Sequence, residues 1–265
     1  MSSNGATAPK LRIRGLCKRF RDLEVLRDIN LEVPDGGFVT LVGPSGCGKT
    51  TVLRIIDGLE APDAGEIEID GKPVENPGAD RGFVFQSDSL LPWRTVWGNV
   101  LIGLEINHRS IERHRSRVQA LLELVGLKGF EGYYPRQLSG GMRQRANLAR
   151  ALAVEPQVLL MDEPFAALDA QTREIMQAEL MRIWSNDRKT VLFITHQIDE
   201  AVYLSDQVVV CGRRPGHVRE VIPVELPRPR DLSLKREPAF TALVDRIWKL
   251  IEKEVRESVI EAAVV

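Results

Sequence analysis

Gly43-Pro44-Ser45-Gly46-Cys47-Gly48-Lys49-Thr50 lies between an apolar run, Phe38-Val39-Thr40-Leu41-Val42, and a stretch with apolar residues at helical spacing: Val52, Leu53, Ile55 and Ile56, beginning at Thr51. The run predicts a strand ending at Gly43, and the stretch a helix starting just after Lys49. The octapeptide fits the pattern G-x-x-x-x-G-K-[ST]. Strand, glycine-rich loop and helix N-terminus together aim backbone N–H groups and a partial positive charge at one point, which suits a polyphosphate. Lys49 adds a full positive charge for β- and γ-phosphates, and the Thr50 hydroxyl is placed to ligate Mg²⁺. A plain glycine turn is the alternative, but the flanking strand and helix favour the phosphate reading. Residues Gly43 to Thr51 are therefore the expected contacts of a nucleoside triphosphate.

The chain has 265 residues, enough for one large α/β domain with or without a smaller appendage. Its 36 basic and 37 acidic residues leave a formal net charge of −1, so no global field favours nucleic acid or an anionic membrane. No stretch approaches the roughly 18 consecutive apolar residues that span a bilayer. Met1 to Pro9 is small and polar, without the apolar core of a secretory signal, and is expected to be a flexible N-terminus. The three cysteines, Cys17, Cys47 and Cys211, are far apart and show no C-x-x-C spacing. Reduced thiols in a cytosolic protein are the simplest account, and alkylation of Cys47 is expected to block nucleotide binding sterically.

From Lys10 to about Gly71 the pattern is strand-rich apart from the helix after the loop. Leu11-Arg12-Ile13, Ile29 to Val33 and Glu66 to Ile69 all alternate, and Asp70-Gly71 marks a turn. A further run, Gly82-Phe83-Val84-Phe85, ends at Gln86. From about Thr95 to Gly132 the pattern is helical, with Gly126 as a C-terminal stop after Val118, Leu121, Leu122 and Val125. A second helical stretch follows Ser139. Two strongly apolar strands come next, Val158 to Met161 and Thr190 to Ile194. Doubly buried strands separated by helices indicate a parallel sheet with helices on its faces. Polar clusters fall at the ends of these strands: Gly43 to Thr50, Asp162-Glu163, and Thr195-His196. In open α/β sheets that edge binds ligands, so one site is expected from distant segments. Arg213 to Asp231 reads as an irregular connection with at most a short strand, Glu220 to Leu226. Beyond it, Phe240, Leu243, Val244, Ile247, Trp248, Ile251 and Val255 form an apolar helical stripe, either packed on the domain or offered to a partner.

Asp162 and Glu163 follow four apolar residues. Adjacent side chains on a strand point to opposite faces, but at a strand end the two acids can diverge. Asp162 can then hold Mg²⁺, directly or through water, while Glu163 polarises an attacking water. Leu138-Ser139-Gly140-Gly141-Met142-Arg143-Gln144-Arg145 precedes a helix with Ser139 as N-cap. It is either an ordinary capped helix or a second anion site, which one nucleotide does not need unless another subunit holds it.

The phosphate loop, Gln86, Leu138 to Arg145, Asp162-Glu163, Ala167-Leu168-Asp169 and His196 come in the order and spacing of ABC-transporter ATP-binding subunits, and the chain resembles that family from about Leu11 to Leu226. The resemblance implies an α/β P-loop NTPase of the ABC ATPase type. Such a fold has an antiparallel β subdomain, a mostly parallel core sheet flanked by helices, and a helical subdomain at about 90–150. The ATPase domain is expected over 10–230 and a helical extension over 231–265. By the same resemblance, copies pair head to tail around ATP, with Ser139, Gly140 and Gly141 of one completing the site of the other. Glu163 resembles the catalytic base, His196 the residue on the γ-phosphate, and Gln86 the residue near Mg²⁺ and the attacking water. Asp169 is expected across the dimer seam. Phe20 stands where the family stacks an aromatic on adenine, with a buried core role as the alternative. The signature more commonly ends in Gln where this chain has Met142, which leaves any polar contact of that Gln without a counterpart. His108, His114 and His217 show no comparable setting.

A transport subunit and a soluble ABC ATPase acting on nucleic acid or ribosomes are the competing readings. The segment between Lys49 and Leu138 leaves no room for the coiled-coil insertion of DNA-repair members, and there is one set of motifs rather than two. The balanced charge also argues against a nucleic-acid partner. A transport ATPase without a membrane span needs separate permease subunits. Ser87 to Val100 places Pro92 and Trp93 in a loop, where Trp93 is either an exposed anchor for a partner helix or a buried staple. This stretch and the tail Arg214 to Asp231 resemble bacterial nitrate, sulfonate and taurine importers. In that group a periplasmic binding protein delivers a small anion, and the ATPase sits on the cytoplasmic face of the inner membrane.

Overall fold

The computed structural model describes residues 8–87 and 89–262. It divides into two compact units. One joins the chain up to Gly78 with the chain from Arg188 onward, and the other is Ala79–Asp187. The N-terminal expectation for residues 1–7 lies outside the described residues.

In the first unit, strand β1 (Leu11–Phe20) runs antiparallel to β2 (Leu23–Val33). Leu11, Ile13, Leu31 and Val33 share the buried face in the register Leu11↔Val33 and Ile13↔Leu31. Arg12 faces the other way and pairs with Glu32 at 2.9 Å. Strand β3 (Phe38–Val42) is buried at every position, as expected of a strand covered on both faces. Helix α1 (Lys49–Ile56) follows it, and β4 (Ala64–Ile69) then returns antiparallel to β1, with Ile67 and Ile69 on the same buried face. The short β5 (Lys72–Pro73) completes a sheet of order β2-β1-β4-β5.

The second unit opens with β6 (Arg81–Val84) and continues through α2 (Val96–Ile106), α3 (Ile111–Leu124) and α4 (Gly140–Ala153). Thr95, Ser110 and Ser139 cap these helices by accepting a backbone N–H from three residues on. Gly126 lies just past the end of α3 at φ 67°, the left-handed turn a stop signal requires. Strand β7 (Val158–Asp162) lies parallel to β6 in the register Val84↔Met161, and α5 (Ala170–Asp187) closes the unit.

Back in the first unit come β8 (Thr190–Ile194), α6 (Ile198–Leu204), β9 (Gln207–Cys211), β10 (Val218–Pro223) and α7 (Pro238–Ala262). β3 lies between β8 and β9 and is parallel to both; β10 is antiparallel to β9. Two tail expectations need correction. The strand in the connection is Val218–Pro223 rather than Glu220 to Leu226, because its pairing with β9 runs from Val218↔Cys211 to Pro223↔Gln207. Trp248 does not belong to the packed stripe. Phe240 and Ile247 are buried, while Trp248 is 56% exposed, one helical step around the cylinder. The side chain of Val255 lies outside the described residues.

Candidate functional site

In the first unit, parallel pairing sets the geometry. Leu41 is in register with Ile194, and Val42 with Val210, so the loop after β3, His196 after β8 and Cys211 at the end of β9 emerge at one sheet edge. Gly43 is required by close approach: a Cβ there would stand 2.6 Å from the Cys211 carbonyl oxygen. Gly48 is required by conformation. It caps α1 at φ 95°, and a Cβ would stand 2.5 Å from Leu26 Cδ2. No side chain caps α1 and no acid occupies its first turn, which leaves the loop and helix N–H groups suited to an anion. The buried Lys49 ammonium donates to the Gly43 and Pro44 carbonyls, each at 2.9 Å. Ser45, Gly46 and Thr50 form the exposed rim, and His196 is also exposed. Phe20 is 42% exposed, with the Lys18 ammonium 5.1 Å from its ring centroid, so it is not a core residue.

The β9–β10 hairpin grips the loop from outside, a feature no motif announced. Arg214 donates to the Gly46 carbonyl from Nε at 3.2 Å and from a terminal nitrogen at 3.0 Å. Gly216 lies so close that a Cβ would come within 1.9 Å of the Cys47 carbonyl oxygen. The hairpin is in turn held by α7, where Glu254 accepts from the Arg213 N–H at 2.9 Å and pairs with Arg219.

The second unit gathers its polar groups by the same device. Because β6 and β7 are parallel, Gln86 and the acids Asp162 and Glu163 leave neighbouring strands in the same direction. Gln86 Nε2 donates to Glu163 Oε2 at 3.2 Å. Asp162 is buried at the last position of β7, and Glu163 follows at φ 46°. A non-glycine residue in that region is strained by about 1–3 kcal/mol. Two buried side chains of α4, Gln144 and Asn147, each donate to the Phe85 carbonyl at 3.2 Å and so fix the residue before Gln86. Sequence reasoning missed them, since only the fold shows that this face of α4 meets β6.

Ser139 Oγ accepts from Met142 N–H at 3.2 Å, so the unusual residue keeps its place in the cap through its backbone. A Cβ on Gly141 would stand 3.0 Å from Leu168 Cδ2, which brings the Ala167-Leu168-Asp169 turn against the signature. Asp169 accepts from Thr172 N–H at 3.0 Å and from its hydroxyl at 2.7 Å. The first of these bonds leads in holding its carboxyl below the usual carboxylate range.

Residues 26–166 match the family model described as ABC transporter. An uncharacterised ABC transporter ATP-binding protein of Methanocaldococcus jannaschii is 50% identical over 94% of this chain and 94% of its own length. The taurine import ATP-binding protein TauB of Yersinia pestis is 49% identical over 79% of this chain and 82% of its own. The aliphatic sulfonates import ATP-binding protein SsuB of Bacillus licheniformis is 44% identical over 86% and 87%. Among solved structures, the dimeric post-hydrolysis state of the ATP-binding cassette MJ0796 bound to ADP and Pi superposes with a TM-score of 0.73. It is 32% identical and covers 82% of this chain and 100% of that one. With its P-loop fold and this similarity along most of its length, the chain belongs to the ABC transporter family as an ATP-binding, ATP-hydrolysing subunit.

Proposed function

We propose that this chain powers a bacterial importer for a small anion such as a sulfonate, taurine or nitrate, from the cytoplasmic face of the inner membrane. The observation that carries the reading is its similarity, along 79% to 86% of the chain, to ATP-binding proteins of taurine and sulfonate import. No described helix is long and apolar enough to cross a membrane, so the reading assigns translocation to separate permease subunits, with a periplasmic binding protein acting through them. In the same reading 10–230 is the ATPase domain and 231–265 an extension. The soluble reading, with nucleic acid or ribosomes as partner, has no relative among those above to favour it.

The roles follow from the chemistry of each group. Loop N–H groups from Gly43 to Thr51 and the Lys49 ammonium bind the phosphates, and Phe20 stacks on the adenine. Glu163 takes the proton of the attacking water, Gln86 orients that water, and His196 donates to the γ-phosphate. The Thr50 hydroxyl, the Gln86 carboxamide and the Asp162 carboxylate are hard oxygen donors of the kind Mg²⁺ selects, and would hold it. Held there, Mg²⁺ would supply positive charge to offset that of the phosphates. Ser139, Gly140, Gly141 and Asp169 serve the nucleotide of a second copy arranged head to tail, and Pro92-Trp93 meets the permease.

The test is purification of the tagged chain from detergent-solubilised native membranes, followed by reconstitution of whatever multi-span protein accompanies it. ATP-dependent uptake of a sulfonate or nitrate by those proteoliposomes is the expected result. Recovery with ribosomes or nucleic acid instead would overturn the transport reading.

A further inference from the structure

The phosphate loop turns through two glycines in the left-handed region, Gly46 at φ 76° and Gly48 at φ 95°. Glycine is the most pliable residue, so such a loop depends on contacts from outside to hold one shape. At Gly46 a single side chain provides them. Arg214, exposed in the connection between β9 and β10, donates to the Gly46 carbonyl from Nε at 3.2 Å and from a terminal nitrogen at 3.0 Å. On the opposite edge of the same planar trans peptide, the Cys47 N–H makes a long bond to the Pro44 carbonyl, 3.4 Å. We propose that Arg214 is a positioning residue for ATP, which fixes and polarises the Gly46–Cys47 peptide so that the Cys47 N–H is presented to a phosphate oxygen, and that Glu254 of α7 holds Arg214 in place. Both residues lie beyond the stretch 26–166 that matches the family model. The role presupposes the phosphate-binding reading of the loop and is independent of transport.

The chemistry follows from the peptide. A loop that cradles an anion turns its N–H groups inward and its carbonyls outward, and Arg214 takes an outward carbonyl. A guanidinium on that oxygen draws electron density across the peptide and makes the N–H on the far edge a stronger donor. The long Cys47–Pro44 bond is then readily exchanged for a charge-assisted one to phosphate. The cation also adds attraction for the triphosphate from one peptide away. Arg214 acts through the loop and needs no contact with the nucleotide.

The connection that carries Arg214 is fixed from two sides. On one, Gly216 N–H donates to the Val25 carbonyl at 2.8 Å, and the Gly216 carbonyl accepts from Arg27 N–H at 2.9 Å. On the other lies α7. Arg246, Leu250 and Glu254 recur every four residues and so share one face of that helix. Each meets the hairpin. Arg246 pairs with Glu220 at 2.5 Å, the Leu250 carbonyl accepts from Arg219 at 3.4 Å, and Glu254 accepts from Arg219 and, at 2.9 Å, from Arg213 N–H. Glu254 is buried, and its carboxylate thus fixes the backbone one residue before Arg214.

The experiment uses the full chain and measures ATP affinity by calorimetry, steady-state ATP hydrolysis and the denaturant midpoint. Arg214→Gln should weaken ATP binding about tenfold and raise KM by the same factor. Its kcat should change by less than about twofold, because the peptide meets the phosphates alike in ground and transition states. The midpoint should stay at the parental value, since the side chain is exposed. Arg214→Lys should recover part of the affinity, keeping the charge without the fork of donors. Glu254→Gln should lose affinity by a smaller factor, and the double variant should bind no more weakly than Arg214→Gln, since Glu254 acts through Arg214. Parental affinity in Arg214→Gln, or a loss matched by a lowered midpoint, would overturn the proposal. Additive losses in the double variant would overturn the route through Glu254. Lys49→Ala is the control: parental ATP affinity in that variant would instead refute the phosphate reading of the loop.

Discussion

Gln86 Nε2 donates a hydrogen bond to Glu163 Oε2 at 3.2 Å, joining the second residue past β6 to the residue after β7. Gln86 is anchored through Phe85 by Gln144 and Asn147, and Glu163 by the strained turn at φ 46°. In its proposed role as base, a carboxylate fixed in this way needs little reorganisation when it takes a proton. Glu163→Gln keeps the shape and one hydrogen-bonding oxygen but cannot accept the proton. ATP hydrolysis is expected to fall by about 10²- to 10⁴-fold with ATP affinity unchanged. Single-turnover hydrolysis beside calorimetric binding checks this, and wild-type turnover would remove Glu163 from its role.

Lys49 makes a different prediction because its proposed role is in binding. Its ammonium already has partners in the Gly43 and Pro44 carbonyls, so it is preset at the loop. A charge-assisted contact of about 1.5–3 kcal/mol is lost in Lys49→Ala, which weakens ATP binding by about ten- to a hundredfold. The loop backbone is held independently by Arg214 and Gly216, so the circular dichroism spectrum should stay that of the parent. Parental affinity for ATP in the variant would contradict the assignment.

What could be read from the sequence divides along physical lines. β3, β7 and β8 were legible because strands covered on both faces must be apolar throughout, and the loop because strand, glycines and helix are contiguous. Asp162 and Glu163 at the end of β7 were legible as a pair, but the positive φ at Glu163 was not, since that conformation is imposed by the fold. Trp248 was misplaced because helical periodicity gives a stripe without its edges. Gln144, Asn147, Arg214 and Gly216 were invisible as supports. Each acts on a backbone carbonyl distant in sequence, and a carbonyl leaves no trace in residue identity.

Trp93 is 70% exposed, so it staples nothing. Its loop is nevertheless rigid: Asn99, itself buried, accepts from Leu91 N–H and donates to the Leu91, Arg94 and Thr95 carbonyls. An exposed aromatic on a fixed loop is the form of an interface anchor. Trp93→Ala should change stability by no more than about 0.5 kcal/mol and leave the ATPase rate of the isolated chain intact. Uptake by the reconstituted transporter should be lost. Full uptake with the variant would place the permease contact elsewhere.

Arg230 tests how the tail is held to the domain. It is buried and donates to the Val202, Tyr203 and Ser205 carbonyls at the end of α6, and to those of Val224 and Leu226 beyond β10. Burial lowers its basicity to about 10, which still leaves it charged at neutral pH. Arg230→Leu matches its apolar stem but abandons these carbonyls, of which the buried ones have no water to replace the guanidinium. Stability should fall by about 3 kcal/mol, read as a lower denaturant midpoint with an unchanged slope. Arg230→Lys should recover only part of the loss, because one ammonium cannot span carbonyls that the planar guanidinium bridges. Equal stability of the leucine variant and the parent would show that the tail is held by the burial of Phe240 and Ile247 rather than by this cation.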